Sequence, residues 1–187
     1  MGNVRLYGAT SGYTELAPPA VANDNTLTLP ANGFGKILQV VSTAKTDIWT
    51  SSATSFTAVT GLSASITPIA TSSKILIMAQ LSVGGTVLSP SGFWKVTRGG
   101  TDIYRGDAAG SRIQTVFGGY FNGNLQDALF SHSIVYLDSP SSTSSLNYRV
   151  EAATSAGTIK LNAPANDADN GSYLRGASSI TVMEISA

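Results

Sequence analysis

The sequence predicts an all-β protein: an antiparallel β-sandwich, jelly-roll-like, that follows an extended N-terminal arm. Short runs of alternating apolar and polar residues recur roughly every 8–12 residues between Gly, Pro and Ser turns, which is the spacing of a sandwich. No window of about a dozen residues shows the i, i+3, i+4, i+7 apolar spacing of an amphipathic helix. The composition also favours strands, because Val, Ile and Thr are abundant and only 12% of the residues are charged.

The charge balance and the cysteine count exclude several kinds of function. The 187 residues include 11 Lys+Arg and 11 Asp+Glu, so we expect no basic surface for nucleic acid and no attraction to an anionic membrane. The absence of cysteine excludes disulfides, thiolate zinc sites and thiol catalysis. No apolar run approaches the roughly 18–20 residues of a membrane-spanning helix, so no membrane insertion is expected. The 25 Ser and 20 Thr replace charges as the solubilising groups.

Residues 1–35 differ from the rest of the chain and are predicted to form an attachment arm. They contain three of the seven prolines and five of the 19 glycines, and their apolar runs are short. The segment Thr26–Leu29 alternates with period two and predicts one strand, which Pro30 ends. Because such an arm cannot bury a core by itself, it is either disordered or docked on another surface.

Residues 36–187 are predicted to form the β-sandwich head. Gly99-Gly100 and Ala156-Gly157 each separate two strand-like runs, which predicts two hairpins. The stretch 106–126 is predicted to be a long glycine-rich loop with one strand inside it. The predicted strands are Lys36–Thr43, Thr46–Ser51, Phe56–Val59, Leu62–Thr67, Ser73–Val83, Phe93–Arg98, Thr101–Arg105, Arg112–Phe117, Ala128–Asp138, Leu146–Ala153, Thr158–Asn162 and Ser178–Ser186.

No catalytic residue is predicted, and we expect the chain not to be an enzyme. His132 is the one histidine that a Ser-His-Asp arrangement would need, but no Gly-x-Ser-x-Gly elbow selects a nucleophile. The simpler interpretation is a strand histidine that faces solvent or a neighbouring chain. Scattered carboxylates can meet in space, so a glycosidase-type pair stays open at this stage.

No metal or cofactor residue is predicted either. The segment 166–171 looks like the start of a calcium loop, with carboxylates at positions 1 and 3 when counted from Asp167. Its glycine is at position 5 instead of 6, and Ser178 stands at position 12, where a glutamate is needed. An ordinary turn formed by Asx and Gly explains it better. Arg105-Gly106-Asp107 matches the tripeptide that some cell-adhesion receptors bind, but it enters a loop, where Gly and Asp are expected anyway, so we interpret the match as coincidence. The aromatic residues serve either core or interface packing or a sugar-stacking platform: Trp49, Trp94, Tyr104, Phe117, Tyr120 and Phe121.

Several segments resemble virion structural proteins of tailed bacteriophages, of the cyanophage and marine phage type. In the arm, residues 8–31 are similar to a recurring segment of those proteins, through Thr10-Ser11-Gly12, Leu16-Ala17-Pro18 and Asn25–Pro30. The head is similar to their C-terminal module. The pieces there, in order along nearly the whole chain, are Leu38–Ser42, Arg98–Thr101, Leu137–Pro140, Gly157–Asn162 and Ser179–Ile185.

The resemblance implies a homotrimeric phage particle protein with an attachment arm and a β-sandwich head, and it carries over no catalytic residue. Its modules occur in capsid decoration (cement) proteins and in tail fibres. A short arm with one compact head favours a decoration protein on the virion exterior, made in the bacterial host cytoplasm. The alternative is a tail fibre or head fibre that binds a host surface receptor such as a glycan.

The arm carries the predicted partner-binding residues. They are its apolar side chains, which we expect to lie on the major capsid protein, another virion protein or a neighbouring subunit: Val4, Leu6, Leu16, Leu27 and Leu29. Strand addition by the arm would supply main-chain hydrogen bonds along its length.

Overall fold

The computed structural model describes residues 4–7, 13–16, 36–85, 91–120 and 127–187. The chain divides into two compact units, Met1–Phe34 and Gly35–Ala187. In the first unit, strands β1 (Val4–Tyr7) and β2 (Tyr13–Leu16) form an antiparallel hairpin that the sequence analysis did not predict. The predicted strand Thr26–Leu29 lies outside the described residues.

The second unit, called the head below, is built from strands alone within the described residues. The strands follow the alternating runs of the sequence closely, because each run places one row of apolar side chains on one side of the chain. They are β3 (Ile37–Lys45), β4 (Trp49–Ser51), β5 (Thr57–Ile66), β6 (Lys74–Gly85), β7 (Ser91–Arg98), β8 (Thr101–Tyr104), β9 (Phe117–Tyr120), β10 (Phe130–Asp138), β11 (Leu146–Thr154), β12 (Ile159–Leu161) and β13 (Ser178–Ile185).

These strands form two antiparallel sheets whose order is that of a jelly roll. Sheet 1 has the order β10-β6-β13-β3, and β12 and β4 continue it past the end of β13. Sheet 2 has the order β5-β11-β7, with β8 and β9 sharing the far edge of β7. The chain crosses between sheets after β4, β5, β6, β9, β10 and β11. The predicted all-β sandwich of jelly-roll type is therefore confirmed.

The core lies between the two sheets and is made by every second residue of the long strands. In β6 the inward side chains are Ile75, Ile77, Ala79, Leu81 and Val83, all at most 3% exposed. Sheet 2 covers them with the fully buried side chains of β7 and β11, which include Trp94, Val96, Tyr148 and Val150. Each large apolar side chain buried in this way contributes about 1.5–3 kcal/mol, so this layer dominates the stability of the head.

Two strands that were predicted separately form a single strand in the structure. The sequence predicts a break at Gly61, between Phe56–Val59 and Leu62–Thr67, but β5 runs through that residue. Gly61 has φ of +79°, in the left-handed region that glycine adopts without strain. The register against β11 shifts there, between Arg149 and Glu151, so the glycine marks a bulge inside the strand.

Two further predictions were wrong. The segments Leu146–Ala153 and Thr158–Asn162 do not pair as a hairpin, because β5 and β7 already occupy both edges of β11. The chain instead crosses to sheet 1, where β12 pairs with β4 and β6. In the long loop, the strand predicted over Arg112–Phe117 begins only at Phe117, where pairing with β7 becomes available.

A buried carboxylate ends the inward row of the last strand. Glu184 is fully buried and accepts hydrogen bonds from Gln39 Nε2 (2.5 Å) and from the backbone N–H of Ile69 (2.7 Å). Burial by itself raises the pKa of Glu184, but these donors outweigh it and hold the pKa below its usual value. Glu184 therefore stays ionised at neutral pH and ties the loop between β5 and β6 to the end of β13.

Candidate assembly surface

The outer face of sheet 1 carries a band of apolar side chains, which we call the apolar face. Cross-strand register aligns one row across all four long strands: Leu137 lies opposite Leu76, Leu76 opposite Met183, and Met183 opposite Val40. The row above pairs Val135 with Met78, and the row below pairs Ile185 with Ile37. The apolar face thus consists of Ile37, Val40, Leu76, Met78, Val135, Leu137, Met183 and Ile185.

Nothing in the described head covers this face. Val135 is 59% exposed, Leu137 51%, Ile37 and Val40 54% each, and Met78 42%. These are five of the nine large hydrophobic side chains that are exposed in the described residues, and they lie on one surface. Single exposed hydrophobic residues are ordinary on soluble proteins, whereas a contiguous patch marks a contact surface.

Hydroxyl groups extend the same surface along the strands. Gln80 donates to Ser131 and accepts from Ser133 Oγ (2.5 Å), and Ser42 and Thr181 share a hydrogen bond of 2.8 Å. Between the strands lies a shallow hollow of about 190 Å³, which Met78, Gln80, Ser133, Val135, Ser179 and Thr181 line with their neighbours. The surface is therefore apolar in one complete row and in part of each row beside it, and it is neutral and polar toward the loop 162–177.

The ends of this surface are defined by polar anchors. At one end, Lys74 Nζ donates to Ser139 Oγ (2.9 Å). At the other end, the loop 162–177 folds over the sheet, and Ser82 Oγ donates to the carbonyl of Ala177 (3.0 Å). Asn162 holds the start of that loop, since its Nδ2 donates to the carbonyls of Lys45 (2.9 Å) and Asp47 (3.0 Å).

The outer face of sheet 2 has the opposite character. Five charged side chains alternate in sign along it: Arg105 pairs with Asp102 (2.9 Å), which pairs with Lys95 (2.6 Å). Lys95 continues to Glu151 (3.5 Å), and Glu151 pairs with Arg149 (2.6 Å). The centre of this network is shielded from solvent, since the side chains of Lys95, Asp102 and Glu151 are 12%, 20% and 8% exposed. The outer face of sheet 2 is therefore charged where that of sheet 1 is apolar.

The single histidine does not face solvent. The simpler interpretation, that it faces solvent or a neighbouring chain, was therefore wrong in its first part. His132 belongs to the inward row of β10 and stacks on Phe117, with ring centroids 4.2 Å apart. Burial lowers its pKa, so the imidazole is more readily neutral than in water. Its ring serves as one more aromatic side chain at the open edge between the sheets.

Most of the candidate aromatic side chains pack together. Trp94 lies 6.2 Å from Trp49 and 6.0 Å from Phe117 between ring centroids, and all three pack in or against the core. Tyr104 stacks on Tyr136 at 4.8 Å. The side chain of Tyr120 and all of Phe121 lie outside the described residues. Core packing therefore accounts for Trp49, Trp94 and Phe117, whereas Tyr104 stacks on Tyr136 and is 41% exposed.

The calcium-like segment is an ordinary turn. The backbone N–H of Ser172 donates to Asn170 Oδ1 (2.9 Å), which is an Asx turn, and Arg175 pairs with Asp167. Among the described residues, no group of three or more acidic or histidine side chains is placed to hold a metal ion. No helix in the described parts of the chain is long and apolar enough to cross a membrane.

The predicted arm residues are only partly described. Val4, Leu6 and Leu16 lie on the strands of the β1–β2 hairpin, whose side chains lie outside the description, and Leu27 and Leu29 lie wholly outside it. The apolar face was not predicted from the sequence, although the run Lys74–Val83 carries a signal of it. That run is apolar in both phases of its alternation near Ile75–Met78, which is typical of a strand covered on both sides.

Comparisons with known proteins give a distant likeness. No protein-family model matches the chain, and no curated protein matches it. A chain in a structure of infectious bursal disease virus, Gx strain, aligns over 94% of this chain with 16% identity and a TM-score of 0.41. A chain in a structure of T=1 particles derived from infectious bursal virus aligns over 97% with 16% identity and a TM-score of 0.38. This chain spans 43% and 44% of their lengths, and at these values neither match assigns it a function.

Proposed function

We propose that this chain is a virion structural protein: a homotrimeric capsid decoration protein that docks on the particle through residues 1–35 and stabilises it. The observation that carries the proposal is the uncovered apolar face on a jelly-roll head. Burying that face removes apolar surface from water, which favours permanent assembly over a free monomer. The kind of assembly, a phage particle, is inferred from the arm and head segments that resemble tailed-phage virion proteins in the same order along the chain.

The proposed partner of the arm is the major capsid protein or another virion protein. The β1–β2 hairpin is a two-stranded sheet, so each of its strands has one edge without a partner among the described residues. An added strand of the partner would gain main-chain hydrogen bonds along such an edge. Three arms on one trimer bind together more tightly than one arm alone, because the second and third attachments are intramolecular.

A tail or head fibre that binds a host glycan is the second candidate. A hollow of about 240 Å³ in the loop 162–177 supports it, because polar groups and one aromatic ring line that hollow. They belong to Asp167, Asp169, Asn170, Tyr173 and Arg175. Aromatic rings beside hydrogen-bonding groups suit sugar recognition. Under either candidate the chain acts by binding, and we propose no catalytic step.

Removal of residues 1–34 is expected to abolish binding to particles that lack the native protein. The head keeps its own core, so the truncated chain should retain the far-ultraviolet circular dichroism and melting temperature of the full chain. Loss of three linked attachments should weaken binding by at least about 100-fold in a co-sedimentation assay. Equal co-sedimentation of the full and the truncated chain would show that the arm is not the attachment device.

A further inference from the structure

We propose that three copies of the chain pack their apolar faces around a three-fold axis, so that the outer face of sheet 1 is the trimer interface. This inference rests on the proposed function, because it says how the subunits of the proposed assembly meet. It goes further by naming the surface, the occupant of that surface and the residues that come together.

The charge pattern favours another copy of the chain as the occupant. Among the outward side chains of the four long strands of sheet 1, only Lys74 is charged, and it lies at the margin, bonded to Ser139. A neutral, apolar surface has nothing to select a charged partner, whereas it is compatible with itself. The charged network lies on the other sheet and stays outside this contact, with Arg105 and Arg149 as its most exposed members.

The width of the sheet fits a three-fold arrangement. Four strands about 4.8 Å apart make a face about 19 Å wide, and three such faces enclose a triangle whose in-radius is about 5.5 Å. That value is close to half of the roughly 10 Å that separates two packed sheets. Side chains from three faces would therefore fill the space around the axis and leave no channel.

The register predicts which residues meet. Leu137 and Val40 stand at opposite ends of one row, on the first and last strands of sheet 1. A three-fold axis parallel to the strands leaves the position of each residue along that axis unchanged. Residues of one row therefore meet residues of the same row in the next copy, and Leu137 of one copy would lie beside Val40 of the next. Both side chains are about half exposed in the single chain, and this contact would cover them.

The dimensions of the outer face of sheet 1 set the size of each contact in the trimer. Four strands and four rows of side chains cover about 19 Å by 27 Å, which is about 500 Å² for each copy. Three faces bury about 1,500 Å² in all, or about 500 Å² for each pairwise contact, which is less than the roughly 1,200–2,000 Å² of a stable two-body interface. The trimer is therefore held by three contacts that close together around the axis.

A matched pair of double variants tests the location of the interface in the full chain. Val135→Lys with Leu137→Lys places two charges on the apolar face, and Ile113→Lys with Leu174→Lys places two charges on side chains about equally exposed elsewhere. In sedimentation equilibrium we expect a trimer for the wild type and for the second variant. The first should dissociate, with a trimerisation midpoint at least about 100-fold higher in protein concentration. A trimer that tolerates both variants equally overturns the inference, as does a wild type that is monomeric or dimeric.

Cysteine cross-linking tests the symmetry, because the chain has no cysteine of its own. The double variant Leu137→Cys with Val40→Cys should oxidise to a covalent trimer on a denaturing gel, while each single variant should stay monomeric. Covalent dimers of the Leu137→Cys variant would instead indicate a two-fold contact and contradict the three-fold arrangement. If the face variants remain trimeric and still bind particles, this inference fails while the proposed function stands. If the wild type does not bind particles, the proposed function fails whatever its oligomeric state.

Discussion

Replacing Asp138 by alanine is expected to destabilise the head by about 3–5 kcal/mol, the cost of breaking a buried ion pair. The carboxylate ends the inward row of β10 and is 5% exposed. It accepts from Arg98 Nη1 at 2.6 Å and from the Tyr148 hydroxyl at 2.7 Å. Its removal leaves the fully buried phenol without its acceptor, and it leaves the guanidinium, whose side chain is 27% exposed, without its ion-pair partner.

Three strands converge on this carboxylate, which explains the size of the effect. Asp138 belongs to sheet 1, while Arg98 on β7 and Tyr148 on β11 belong to sheet 2, so the cluster fastens the two sheets together. Burial, together with the bond to Asp138, raises the pKa of the Tyr148 phenol well above its usual value, so the hydroxyl remains a donor at any ordinary pH.

Guanidinium denaturation at neutral pH measures this effect. Asp167→Ala is the matched control, because its ion pair with Arg175 lies at the surface and should contribute only about 0–1 kcal/mol. Asp138→Asn should fall between the two, since the amide oxygen can still accept one hydrogen bond. An Asp138→Ala variant as stable as the control would show that the sheets are held without this cluster.

Gly84→Ala is expected to cost about 3 kcal/mol and to displace the loop that bounds the apolar face. A Cβ at residue 84 would stand 2.3 Å from the carbonyl oxygen of Ala163 and 3.0 Å from the Cα of Pro164. Both atoms are backbone, so no side-chain rotation relieves the clash and the loop 162–177 must move. The glycine is required here for close approach, since its own backbone is that of an ordinary strand.

Gly119→Ala provides the control for that substitution. Gly119 is also a strand glycine, but a Cβ there meets no atom within 4 Å, so we expect a change within about 0.5 kcal/mol. Thermal denaturation compares the two variants, and hydrogen exchange over residues 162–177 should accelerate in Gly84→Ala alone. Equal stability and equal exchange would show that the loop does not rest on Gly84.

Alternation of apolar and polar residues was enough to predict the class of fold. Runs such as Lys74–Val83 and Phe130–Asp138 bury every second side chain, so strand positions follow from local sequence. The pairing of the strands does not follow from local sequence, because it depends on which strand edges other strands already occupy. The segments on either side of Ala156-Gly157 looked like a hairpin, yet β11 has no free edge for β12.

The candidate surface was harder to predict than the fold. Glu184 shows the difficulty, since a charged residue fills an inward position while Met183 and Ile185 beside it point outward. Hydrophobicity alone assigns these residues to the wrong sides. Only the register of β13 against β3 and β6 aligns Met183 with Val40 and Leu76 and reveals a continuous row. The arm residues, chosen for their apolar character alone, stay a prediction.

Quantitative mass spectrometry of virus particles purified from a culture that carries the gene of this chain tests the central claim, a role as a virion structural protein, most directly. A capsid decoration protein should be present in a copy number of the same order as the major capsid protein, and treatment that strips peripheral proteins should remove it as a trimer. A fibre would be present in far fewer copies. Absence of the chain from purified particles would contradict the account of a virion structural protein altogether.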